Sequence, residues 1–120
     1  MDNKEILMTA NKAVTKGDNE GFLAFCTEDT NWEFVGDITL KGKAAVRKWM
    51  AENYIEPPKF DVTNLIAEKD FVTAIGKITM ANGEGKTVQY EYCDVWRFRN
   101  GKMAGLRAFV IESKKSGINH

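Results

Sequence analysis

Between Val88 and Phe98 the residues alternate so cleanly that the two faces of a strand can be read directly. One face carries Val88, Tyr90, Tyr92, Asp94, Trp96 and Phe98; the other carries Gln89, Glu91, Cys93, Val95 and Arg97. The first face is apolar and aromatic except at its centre, where a carboxylate stands. An unpaired ionised carboxylate is costly to bury, so Asp94 must be paired, hydrated or neutral. Burial alone raises such a pKa by up to roughly 3–5 units. A neutral Asp can donate a hydrogen bond into an apolar pocket and so stabilise an enolate oxygen. Within reach of a reacting group it can equally act as acid or base. The competing reading is structural: Asp94 accepts hydrogen bonds from Tyr, Trp or backbone groups nearby. A slip of one residue would turn it outward, and the unbroken alternation opposes such a slip.

Other residues that could do chemistry are sparse. Cys26 and Cys93 are far apart and fit no metal-ligand or redox spacing, and the single histidine is His120, the last residue. Zinc sites and Ser-His or Cys-His nucleophile pairs are not expected, and no cofactor is implied. Gly83 and Gly85 follow a strand without opening a helix, so they match no phosphate loop. Glu28, Asp29 and Asp37 read as solvated or helix-terminal charges. Glu33 and Glu91 face away from the aromatic side, where cross-strand pairing with Lys or Arg is expected. Met80 and Met103 read as gap fillers.

These residues need a scaffold, and the chain is long enough for one domain, residues 1–120, and too short for two. Of its 120 residues 43% are hydrophobic, 28% are charged and 2 are Pro, which excludes a disordered or collagen-like chain. Seventeen basic residues balance seventeen acidic ones. That balance offers no footprint for nucleic acid or an anionic membrane surface. The start, Met1-Asp2-Asn3-Lys4-Glu5, is not a basic and apolar leader, and no apolar run is long enough to span a membrane. A soluble cytoplasmic protein with reduced thiols is expected.

Three helices followed by strands are predicted. Asp2 and Glu5 form an acidic capping box, Ile6, Leu7, Ala10, Ala13 and Val14 share a helical face, and Gly17 suits the left-handed cap. Asp18 starts a short second helix with Phe22, Leu23, Phe25 and Cys26 on its apolar side. A brief strand covers about Asn31 to Val35, ended by Gly36-Asp37. A third helix from about Lys43 to Tyr54 buries Ala45, Val46, Trp49 and Met50 and cannot pass Pro57-Pro58. The periodicity then changes to two, predicting strands at Lys59–Glu68, Phe71–Ala81, Lys86–Arg99 and Lys102–Ser113. Turns fall at Glu68-Lys69-Asp70, Asn82-Gly83-Glu84-Gly85 and Asn100-Gly101. The result is an α+β domain: an antiparallel meander, strongly curved, with helices on one face and a cavity between.

This order of elements resembles the nuclear transport factor 2-like cone fold, in the branch of SnoaL-like cyclases and ketosteroid isomerases. The resemblance spans nearly the whole chain. It rests on Lys16-Gly17-Asp18, Gly42-Lys43-Ala44-Ala45-Val46-Arg47, Cys93-Asp94-Val95-Trp96-Arg97-Phe98, and Gly101-Lys102 with Leu106-Arg107-Ala108-Phe109. By this resemblance Asp94 falls on the isomerase aspartic acid that donates to the steroid oxyanion. The general-base aspartate would fall at Phe34, the oxyanion tyrosine at Ala10 and a supporting tyrosine at Met50. One of the three principal groups remains, so authentic ketosteroid isomerisation is not expected.

Alternation places Trp32, Phe34, Tyr90, Tyr92, Asp94, Trp96, Leu106, Ala108 and Val110 inward, with Trp49 and Tyr54 as lids. Such a cavity suits a small, flat, apolar molecule with one polar handle. Side chains packed as an ordinary core would look the same in sequence. On the outer sheet face Val95, Phe109 and Ile111 sit with Arg97 and Arg107. An apolar centre rimmed by charge, and the resemblance, both imply a homodimer through that face. Two functions stay open. One is a SnoaL-like enzyme using Asp94 as acid/base for isomerisation, cyclisation or dehydration. The other is a non-catalytic module that binds an apolar ligand or dimerises, with Asp94 structural.

Overall fold

The computed structural model describes residues 1–81 and 84–113. Three helices, α1 (Asn3–Thr15), α2 (Asn19–Leu23) and α3 (Lys43–Asn53), cover one face of a six-stranded sheet. Its strands are β1 (Cys26–Phe34), β2 (Thr39–Lys41), β3 (Lys59–Glu68), β4 (Phe71–Ala81), β5 (Thr87–Arg99) and β6 (Lys102–Glu112). They lie in the order β2-β1-β6-β5-β4-β3.

Local chemistry explains the ends. Glu5 N–H donates to Asp2 at 2.9 Å and Asp2 N–H to the Glu5 carboxylate at 3.0 Å, the reciprocal cap expected there. Gly17, at φ +87°, turns the chain out of α1. Both residues of Asn100-Gly101 have positive φ, 52° and 76°, as a tight hairpin between right-twisted strands requires. Ile6, Leu7, Ala10 and Val14 of α1 meet Phe22 and Leu23 of α2 and Val46 and Met50 of α3 in the core beneath the sheet.

The register fixes the surroundings of the central carboxylate. Asp94 on β5 pairs with Ala74 on β4 and Ala108 on β6. One alanine on either side leaves space above the sheet where larger residues would close it. Trp96 pairs with Val72 and Leu106, and Tyr92 with Gly76 and Val110.

Four features differ from the sequence expectation. Cys26 opens β1 rather than closing α2, and β1 begins five residues before Asn31. Its pairing shifts between Cys26 and Asn31, which breaks the period that would have revealed the strand. The sheet is not a plain four-stranded meander, because β1 adds to β6 in parallel and the three-residue β2 extends the edge. The last two strands are also trimmed by a residue, starting at Thr87 and ending at Glu112. Of the turn expected at 82–85, Asn82 and Gly83 lie outside the described residues.

Candidate ligand cavity

The curved sheet and the helices enclose a cavity of about 330 Å³, near the lower end of the range for small-molecule sites, roughly 300–1,000 Å³. Every side chain expected to line or lid the cavity borders it: Asp94, Tyr90, Tyr92 and Trp96 from β5, Leu106, Ala108 and Val110 from β6, Trp32 and Phe34 from β1, and Trp49 and Tyr54 from α3 and its end. The arrangement follows from period two on the strands and from α3 lying across β1.

The aromatic rings form a connected wall. Trp32 meets Trp96, Trp49 and Phe34 edge to face at centroid distances of 5.5, 6.2 and 6.4 Å. Trp49 packs on Phe34 at 4.9 Å and against Tyr54 at 5.3 Å. Such pairs contribute about 0.5–1.5 kcal/mol each beyond area burial, so the wall holds its shape.

Asp94 sits inside this wall. Its Oδ1 is cut off from solvent and has no hydrogen-bond partner among the described residues. Burial pushes its pKa up to about 7. A carboxyl poised there is protonated or ionised according to what binds beside it. The phenols of Tyr54 and Tyr92 are pushed up as well, by burial first and then by the negative charge of Asp94. The three groups therefore share one electrostatic environment. Burial also pushes the Cys26 thiol up to about 12, so it is inert.

Several lining residues were not expected. Asn11 from α1, Asn53 from the end of α3 and Asp37 from the β1–β2 turn bring polar groups to the cavity, and Phe60 and Met80 add apolar surface from β3 and β4. Asp37 is the exposed turn charge expected, and it also borders the cavity. The alternation of β4 carries Met80 inward with Ala74 and Ile78. No periodic signal marks Asp37, because a turn has none.

Three of the other acids singled out form ion pairs outside the cavity, while Glu91 lies opposite Lys77 in the β4–β5 register. Glu28 meets Lys43 at 3.1 Å, Asp29 meets Arg99 at 2.6 Å, and Glu33 meets Arg107 across the strands at 3.3 Å. The Arg99 guanidinium, helped by Thr27, holds Asp29 down to about 2. No cluster of three or more His, Cys, Asp or Glu suited to a metal occurs among the described residues. Among those residues no helix is long and apolar enough to cross a membrane.

Residues 9–106 match the model of the SnoaL-like domain. The chain belongs to the SnoaL-like domain family. Solved structures show the same nuclear transport factor 2-like fold. The epoxide hydrolase/cyclase-like enzyme SalBIII, described in pyran ring formation in polyether salinomycin, superposes with a TM-score of 0.82 at 25% identity, over 90% of this chain and 89% of that one. A SnoaL-like candidate polyketide cyclase from Jannaschia sp. CCS1 gives 0.76 at 16% identity, over 90% and 84%. An NTF2-like protein of unknown function from Cytophaga hutchinsonii gives 0.73 at 22% identity, over 92% and 100%. No curated protein matches the sequence. Within this SnoaL-like domain Ala10 is fully buried in the core, while Phe34 and Met50 border the cavity. None of these three side chains can exchange a proton.

Proposed function

We propose that this SnoaL-like domain binds a small, flat, largely apolar molecule in the cone and moves a proton on it through Asp94. The observation that carries the reading is the carboxyl itself, poised at about 7 in an aromatic cavity with one oxygen unpartnered. An acid/base works best when its pKa lies near the operating pH. Isomerisation, cyclisation and dehydration all need such a group. The epoxide hydrolase/cyclase-like description of SalBIII lends support to that class of chemistry. Tyr54 and Tyr92 keep their protons and can orient a ligand oxygen. A cytoplasmic setting accords with two free cysteines.

A second reading rests on Phe34: a hydrocarbon stands where the resemblance places a base, so the cavity could bind without turning anything over. A thermal-shift screen of flat ketones, phenols, acids and amines, on wild type and Asp94→Asn, tests the site. A ligand at about 100 times its Kd adds roughly 2.7 kcal/mol, a shift readily seen in a domain of this size. The expected result is a hit whose effect is lost in Asp94→Asn and which is then converted by the wild type. Binding without turnover would favour the second reading. Absence of any hit, with Asp94→Asn merely less stable, would sink both.

A further inference from the structure

From the lining of the cavity we infer that its ligand is a flat organic cation, an amine or quaternary ammonium carried on an aromatic or otherwise planar body, with Asp94 as its counter-ion. The inference rests on the proposal that Asp94 belongs to a ligand site and adds the charge of what binds there. The charged side chains bordering the cavity are Asp94 and Asp37, both acidic; among the described residues no Lys, Arg or His borders it. An anionic ligand would meet the buried Asp94 carboxyl, with the exposed Asp37 at the cavity's border, and no counter-charge. A cation would supply the positive charge that the interior lacks.

The wall favours the same sign. Aromatic rings carry negative potential on their faces, and Trp attracts cations best. Trp32, Phe34, Trp49 and Tyr54 meet mainly edge to face, with interplanar angles of 72°, 67° and 77° for three of their contacts. All four of these residues border the cavity. Trp96 stands against Trp32 at 85°. The unpartnered Oδ1 adds an independent observation. When Asp94 is ionised that oxygen finds no donor among the described residues, and an ammonium group meets it by charge. Bound beside a cation, Asp94 is held as carboxylate, the state in which it acts as base.

The test pairs phenyltrimethylammonium with its uncharged carbon isostere tert-butylbenzene, and adds benzoate as the anion, each titrated into the purified chain by calorimetry. The expected result is at least about tenfold tighter binding of the cation than of the isostere, with benzoate weakest. In Asp94→Asn that preference should shrink severalfold while the isostere binds as before. Trp49→Leu, a partly exposed wall position, gives a second handle and should weaken the cation more than the isostere. If the isostere binds as tightly as the cation, the charge assignment is overturned while the apolar ligand site stands. Binding of none of the three overturns both.

Discussion

Asp94 should cost the folded chain stability at neutral pH, and linkage gives the sign. Its carboxyl titrates near 3.8 when unfolded and at about 7 when folded. Between those values the native state holds a proton that the unfolded state has released, so stability falls as pH rises through the window and levels off above it. At 1.36 kcal/mol per pH unit the loss approaches about 4 kcal/mol. Tyr54 at the end of α3 and Tyr92 on β5 share its environment, but their phenols are pushed up and stay protonated here. β4 and β6 place Ala74 and Ala108 beside it, and Asp37 is the cavity's other carboxylate. Asn cannot ionise. Asp94→Asn should therefore match the wild type closely at pH 4 and exceed it by a few kcal/mol at pH 8 in urea unfolding. A difference that does not change with pH would mean that Asp94 stays charged and hydrated when folded. The sequence revealed this residue because a charge interrupts one face of a long, regular alternation. Asn11, Asn53 and Asp37 left no such trace, since they come from a helix face, a helix end and a turn, whose approach to the cavity only tertiary packing decides.

The β3–β4 hairpin depends on one close approach. The pairing of β3 shifts between Val62 and Asn64, and this bulge brings the Asp61 backbone against Gly76 of β4. A Cβ at position 76 would collide with the Asp61 carbonyl oxygen and lie 3.0 Å from Val62 Cα. Neither backbone group can swing aside as a side chain would, so Gly here is a packing requirement. Gly76→Ala should destabilise by about 1–3 kcal/mol, the usual cost of overpacking. Hydrogen exchange should show β3 amides losing protection while β5 and β6 keep theirs. Unchanged protection along β3 would mean that the bulge relaxes freely. The hairpins themselves were legible: local turn residues such as Asn100-Gly101 join neighbours in sequence, and alternation fixed β3 and β4 to the residue. The parallel pairing of β1 with β6 was not legible. It joins segments over seventy residues apart, such as Trp32 and Leu106, and nothing local encodes the partner. The short β2 has too few residues to show a period.

At the scale of the whole molecule, the outer sheet face needs an explanation that the single chain does not supply. Phe71, Ile75, Phe109 and Ile111 are 47%, 37%, 38% and 72% exposed there, with Arg107 stacked over the Phe109 ring at 5.5 Å. Ile75, Cys93 and Phe109 pair across three adjacent strands, so their side chains form one row. We propose that a second copy of this chain covers the face. Charge placement supports a twofold contact: along β5 the outward series Glu91, Cys93, Val95, Arg97 carries opposite charges equally spaced about Asp94. A twofold axis through that midpoint sets Glu91 of each copy opposite Arg97 of the other, as an isologous interface requires. Light scattering should give twice the 13.5 kDa chain mass. Arg97→Glu or Glu91→Arg alone should weaken the dimer by setting like charges together, and the double exchange should restore it. A single-chain mass at every concentration would refute the proposal, and failure of the double exchange to rescue would refute the twofold geometry. The same strand that carries this interface carries Tyr90, Tyr92 and Asp94 on its other side. The two cavities therefore back onto the interface without opening into it, and a chain made monomeric by a single exchange should keep its Asp94-dependent ligand shift.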